Sequence, residues 1–164
     1  MNSLALYFVG HFVHLLPDTR CFGLKRMLYR LCGAQIEKNV RICSSAVICG
    51  DGKLLIGENT WVGHDVLIGC VNNISIGRDC DIAPRVYIGD GTHVIDKESP
   101  NVAGKGISMP IIIGDGCWLC ANSTILPGSK LAKKCIVAAG SVFKGSSKPY
   151  EIWGGVLAKK IKNI

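Results

Sequence analysis

The chain has 164 residues, with 19 Lys and Arg against 12 Asp and Glu, a formal net charge of +7 and a pI of about 9.0. That length suits one domain with a sizeable core, and 20 Gly among many Ile and Val argue against an all-helical fold. The basic balance suits an anionic small ligand or a membrane surface; nucleic acid is disfavoured, because the basic residues are not interleaved with exposed aromatics.

Residues 1–17 are apolar but interrupted by His11 and His14. The run is too short to span a bilayer. It lacks the basic start and small-residue cleavage site of a secretory signal. Pro17-Asp18-Thr19 breaks it. Residues 19–33 are predicted as a basic amphipathic helix, with Cys21, Leu24, Met27, Leu28 and Leu31 on one side and Arg20, Lys25, Arg26 and Arg30 elsewhere. Such a helix can cap the end of the domain. Its alternative use is as a foot on an anionic membrane, a peripheral contact through residues 1–33.

A six-residue pattern starts at Ile36. Ile36, Ile42 and Ile48 open one set, and an extra turn follows at Gly50-Asp51-Gly52. Ile56, Val62 and Ile68 open the second, and two residues are inserted near Asn72-Asn73. Ile76, Ile82 and Ile88 open the third. The register stops at His93. The polar stretch 94–112, punctuated by Pro100, Gly104, Gly106 and Pro110, is expected to be a loop thrown off one corner. From Ile113 the pattern runs unbroken through Leu119, Ile125, Leu131 and Val137, with Cys117, Ser123, Ser129, Cys135 and Ser141 in the fifth place.

A period of six fits neither a helix nor a simple strand alternation. Each hexad is predicted to be a short strand plus a turn, and three hexads to make one triangular coil. Coils stack at about 4.8 Å, each burying its apolar residues against its neighbours. The first position points inward. The fifth also points inward but must be small. The second sits in a turn where Gly can take φ > 0. The reading divides the chain into a helical cap (1–35), a repeat domain (36–148) with its loop at 94–112, and a tail (149–164) that leaves the repeat and carries Lys159, Lys160 and Lys162.

The nine cysteines are odd in number, and Cys80, Cys117 and Cys135 fill the small fifth position. That placement suits reduced thiols acting as compact hydrophobes in a cytoplasm. Cys117 and Cys120 are spaced like a redox pair, but hexad phase already explains both.

The hexads, the His before a loop, the run from Pro110 through Gly114-Asp115-Gly116 to Trp118, Ala139-Gly140-Ser141-Val142-Phe143-Lys144, and the tail Gly155 to Lys159 together resemble the left-handed parallel β-helix (hexapeptide-repeat) O-acetyltransferases, such as the maltose, galactoside and capsule-sugar enzymes. The resemblance covers residues 20–162. It implies an all-β, left-handed parallel β-helix with a short helical cap, an exception to the right-handed crossover rule. It also implies a homotrimer with active sites in the clefts between subunits, where acetyl-CoA lies along the helix axis and no metal is needed. The implied reaction is acetyl transfer to a sugar hydroxyl in capsule or lipopolysaccharide assembly, in the cytoplasm or at the inner face of the membrane.

In that family a His at the place of His93 takes the proton of the acceptor hydroxyl as its oxygen attacks the thioester. A sugar hydroxyl needs such a base, worth roughly 10²–10⁴-fold, and an N–H near the thioester oxygen would stabilise the developing oxyanion. Either Asp81, in the same coil, or Asp96, on the loop, could orient the imidazole. His64, one coil away, could line the acceptor end of the cleft. The resemblance further places Trp118 near the reacting groups, Ala121 and Ala139 against the pantetheine arm, and Lys144, Lys159 and Lys162 near the adenosine phosphates. The sequence departs from the family pattern at Leu119-Cys120 and in the missing proline of the tail. Three other readings compete. One is N-acetylation of an amino sugar by the same base. Another is a metal-dependent carbonic anhydrase, which needs three His ligands where the repeats offer only His64 and His93. The last is a non-catalytic β-helix scaffold.

Overall fold

The computed structural model describes all 164 residues. From residue 35 the chain winds as a parallel β-helix with three faces. Sheet A holds Gln35–Ile36, Lys53–Ile56, Asn73–Ile76, Ile111–Ile113 and Lys130–Leu131. Sheet B holds Arg41–Ile42, Trp61–Val62, Asp81–Ile82, Trp118–Leu119, Ile136–Val137 and Glu151–Gly155, with Ala158–Asn163 antiparallel at its edge. Sheet C holds Val47–Cys49, Leu67–Gly69, Tyr87–Gly89, Thr124–Ile125 and Val142–Phe143. The chain visits the sheets in the order A, B, C, so each coil has an A–B, a B–C and a C–A corner.

The aliphatic first position of every hexad is buried, from Ile36 to Val137, and Phe143 continues the column. Each such side chain contributes about 1.5–3 kcal/mol of burial. The fifth position is buried as well at Val40, Ala46, Thr60, Val66, Cys80, Val86, Cys117, Ser123, Ser129, Cys135 and Ser141, and is exposed at Asn72 and Thr92, where insertions interrupt the repeat. No cysteine forms a disulfide. Burial pushes the thiols up, Cys117 to about 12 and Cys80 to about 11, which leaves them inert packing groups.

The second-position glycines serve a different purpose from the one expected. Left-handed φ falls at the fourth position of the hexad, as at Asn59 (φ 61°), Asp79 (φ 55°) and Asn122 (φ 58°). The second position is instead where successive coils pass closest. A Cβ on Gly57 would lie 2.6 Å from the Arg78 nitrogen, and one on Gly114 2.7 Å from the Lys133 nitrogen. Glycine is needed there for backbone approach.

Residues 94–112 are not a simple loop. Gly91–Ile95 and Ala103–Ser108 pair as an antiparallel hairpin projecting from the C–A corner, and His93 lies inside its first strand, opposite Gly106. The tail also differs from expectation, because Glu151–Gly155 rejoins the repeat as a further strand of sheet B, with Ile152 beside Ile136. The Glu151 carboxylate accepts from Lys160 (2.9 Å), the Lys148 N–H (2.9 Å) and the Trp153 indole (3.0 Å). These donors, Lys160 first, hold that carboxyl below the usual range.

Two helices, α1 (Ser3–His14) and α2 (Phe22–Leu31), pack on the first coil and on each other. Of the apolar side assigned to α2, only Leu28 packs partly against the core. Leu24, Met27 and Leu31 are exposed, whereas Lys25 and Tyr29 are buried. The reason is local. The Lys25 ammonium donates to the carbonyls of Pro17 (3.2 Å), Asp18 (2.6 Å) and Ile42 (3.2 Å), so it fastens the connection between the helices to the β-helix. Burial lowers its pKa, opposed by nearby Asp18.

Lys25→Met removes three charge-assisted hydrogen bonds from a dry site and is expected to cost about 3 kcal/mol. Met27→Lys, two residues on but exposed, should stay within about 0.5 kcal/mol. Chemical denaturation of both variants measures this; equal losses would contradict the assigned orientation of α2.

Candidate active site

His93 is exposed on the hairpin, and its Nδ1 lies 2.8 Å from the Gly104 carbonyl oxygen. A carbonyl only accepts, so Nδ1 carries the proton and Nε2 of the neutral ring is free to take one. Neither candidate carboxylate orients the ring. Asp96 caps its own turn, accepting from the N–H groups of Glu98 (2.9 Å) and Ser99 (3.1 Å), which hold it below the usual carboxylate range. Asp81 lies on the outer face of sheet B, paired between Trp61 and Trp118. The backbone of the hairpin performs the role expected of an aspartate, through a register that sequence spacing does not reveal.

Beside His93 is an open cavity of about 410 Å³, lined by Val71, Thr92, Ile107 and Ser108 among others. Directly before the lining residue Gly91 stands Asp90, which sequence reasoning missed. This buried carboxylate accepts from three consecutive N–H groups, Val71 (2.8 Å), Asn72 (2.9 Å) and Asn73 (2.8 Å). Its carbonyl accepts the Met109 N–H at 2.8 Å, and Asn72 donates to the Ser108 hydroxyl at 3.2 Å. One residue therefore ties the two-residue insertion to both ends of the hairpin. An acidic residue directly before the hairpin was the available signal.

His64 occupies a different corner. Its Nδ1 is 2.6 Å from an Asp18 carboxylate oxygen, and Asp18 also accepts from the N–H (3.0 Å) and hydroxyl of Ser45. Burial raises the Asp18 pKa, but these donors outweigh it and leave the carboxyl below its ordinary range. Asp18, Cys43 and His64 place ligand atoms within 4.8 Å of one another. The Lys25 ammonium borders Asp18 and Cys43 and competes with any cation there.

Hydrogen bonds from Arg85 to His64, Asn122 to Pro84 and Gly140 to Ala121 stack the B–C corners into one edge. His64, Ala121 and Ala139 share that edge. His93 and Lys144 lie on the C–A edge, across the whole width of sheet C. Trp118 is half exposed on the outer face of sheet B, in a file that continues through Ile136 and Ile152 to Lys162. Three strand steps of about 4.8 Å separate Trp118 from Lys162. Lys159 is exposed beside Gly154, whereas Lys160 is taken up by Glu151. A single chain thus brings His93 together with its cavity, but not with Trp118, Ala121, Ala139 or the tail lysines.

The bacterial transferase hexapeptide (six repeats) family matches residues 110–145. WcaF of Escherichia coli K12, provisionally assigned as a colanic acid biosynthesis acetyltransferase, is 36% identical over 121 residues, 73% of this chain and 64% of WcaF. The chain therefore spans less than two thirds of that relative. The mitochondrial γ carbonic anhydrase 2 of Arabidopsis thaliana is 30% identical over 139 residues, 79% of this chain and 50% of that protein. Among solved structures, a galactoside acetyltransferase in complex with coenzyme A superposes with a TM-score of 0.78 over 98% of this chain and 80% of its own, at 19% identity.

Asp90→Ala strands three N–H donors and is expected to lower stability by about 3 kcal/mol and the Tm by about 10 °C. Asp90→Asn keeps an acceptor for Asn72 and Asn73 and should lose clearly less. Thermal unfolding followed by circular dichroism measures both, and an unchanged Tm for Asp90→Ala would contradict this role.

Proposed function

Since this chain belongs to the bacterial transferase hexapeptide-repeat family, we propose that it is an acetyl-CoA-dependent acetyltransferase acting on a sugar hydroxyl in cell-surface polysaccharide assembly. The observation that carries the chemistry is the His93 tautomer. With Nδ1–H held by Gly104, Nε2 faces outward as a base beside an open cavity. It takes the proton of the acceptor hydroxyl as that oxygen bonds to the thioester carbonyl carbon. As the carbon–sulfur bond breaks, the same proton goes to the departing thiolate. His93 ends as it began, and no residue is acylated. The inert buried thiols accord with direct transfer.

The thioester substrate needs a second surface. Ala121 and Ala139 lie along the B–C edge, and Lys159 and Lys162 offer cations on the last strand of the adjoining sheet B. Because these groups and His93 sit on separate edges, a complete site takes its base from one subunit and its substrate-binding edge from the next. A homotrimer around an axis along the solenoid satisfies this with three equal clefts. The hairpin supports the arrangement, since Val94, Ile95, Val102 and Ile107 are exposed on an arm projecting from the chain. The name of WcaF supports the polysaccharide acceptor, and the complex of the galactoside enzyme with coenzyme A supports the thioester. Carbonic anhydrase chemistry would need three imidazole ligands, and the repeats supply only His64 and His93.

His93→Ala should lower turnover by about 10²–10⁴-fold while calorimetric affinity for acetyl-CoA stays unchanged. Lys162→Ala should weaken that affinity about fivefold, the ~1 kcal/mol of an exposed charge contact, with little effect on turnover at saturation. Turnover retained by His93→Ala would exclude it as the base. A parallel screen of hydroxyl and amine acceptors separates O- from N-acetylation.

A further inference from the structure

We infer that the outward face of the helical cap is a docking surface for an anionic lipid bilayer. On α1, Leu4 (67% exposed), Phe8 (64%), Phe12 and Leu15 (83%) stand clear of the protein, while Leu6 and Val13 on the opposite side enter the core. On α2, Leu24, Met27 and Leu31 (76%) do the same. The Asn2 N–H donates to the Cys32 carbonyl at 2.8 Å, which ties the start of α1 to the end of α2 and sets the helices side by side. Leu4, Phe8, Met27 and Leu31 on two adjoining helices, with Leu15 at the C-cap of α1, each have half or more of their surface exposed, which exceeds the scattered apolar exposure of an ordinary surface.

Charge selects the occupant. Residues 1–34 contain Arg20, Lys25, Arg26 and Arg30 against Asp18 alone, 4 − 1 = +3. Asp18 is engaged by Ser45 and His64, and Lys25 is buried, so what remains outside is cationic. Arg20 is exposed beside α2, and Arg30 stays exposed on it while also donating to the Ile36 carbonyl. Neither helix carries an acidic residue. An apolar face edged by arginines, with no acid to repel phosphate, fits the plane of a headgroup layer. Neither helix is long and apolar enough to cross a membrane, so the cap lies on the surface.

Position adds to this. Both helices pack on the first coil, at one end of the solenoid. In the homotrimer of the proposed function, on which this step alone rests, three caps share one end. They would meet a flat surface together, and the second and third contacts would be intramolecular.

The test is co-sedimentation of the full chain with phosphatidylglycerol–phosphatidylcholine vesicles and with pure phosphatidylcholine vesicles. Binding to the anionic vesicles is expected, at least about tenfold weaker for Phe8→Glu/Leu31→Glu and weakened for Arg20→Gln, and reduced at high salt. Because these side chains are exposed, the variants should keep the wild-type melting temperature and acetyl-CoA affinity. No wild-type binding, or undiminished binding by the folded double variant, would overturn the inference. So would a change in mass by light scattering in the double variant, which would identify the face as a contact between copies. A monomeric mass with the expected vesicle results would instead remove the trimer and leave the docking surface standing.

Discussion

Everything in this molecule depends on the contact between one coil and the next. Each coil can hide its aliphatic corner residues only beneath those of its neighbours. The strands must therefore run parallel, in register, at a fixed spacing. At Gly57 and Gly114 the backbone of the next coil leaves no room for a side chain, which is why these two second positions are glycine. The interior is committed to aliphatic groups and to the small side chains of the fifth position. Chemistry is confined to the outside, to three faces and three edges. A functional group can be offered at an edge, or on an excursion that leaves the repeat, as the hairpin bearing His93 does.

This constraint explains what could be read from the sequence. A strict period of six leaves few folds to consider, so the solenoid, the inward columns and the break at His93 were legible. The remainder depends on contacts between distant residues. The α2 stripe grouped Leu24 and Leu31 on one side without fixing whether that side meets the domain, because helical periodicity shows which residues share a face but not which face turns inward. Three carbonyls, two of them in the connection before α2 and one on the β-helix, claim Lys25 and turn the helix over. The orientation of His93 depends on which carbonyl the hairpin register places opposite it, so two aspartates nearby in sequence were misleading. Asp90 and Asp18 matter through groups 17 to 46 residues away in the chain.

The positions of the candidate groups then bear on assembly. Within one chain, the base and the edge proposed to hold the thioester are separated by a full face of the prism. That is a poor arrangement for a monomer and a natural one for a threefold assembly, in which the C–A edge of one subunit meets the B–C edge of another. The same axis would gather the three caps at one end, opposite the tail lysines. An enzyme so built would face lipid with its first coil and take the nucleotide end of its thioester from water at its last. The cap and the cleft are separate surfaces, and either can be altered without touching the other.

The division of the site between subunits is the central claim, and mixed assemblies test it most directly. One preparation would carry His93→Ala; the other would carry Ala139→Trp, which obstructs the B–C edge. Each should be inactive alone towards the acceptor that the screen selects. After co-refolding in equal amounts, a site is whole only where an intact His93 meets an intact edge from the neighbouring chain. Random mixing makes that about one quarter of sites. Recovery of about a quarter of the wild-type rate is the result this account predicts. Activity that stays at the level of the separate variants, with mixed trimers present, would contradict it and place the whole site within one chain.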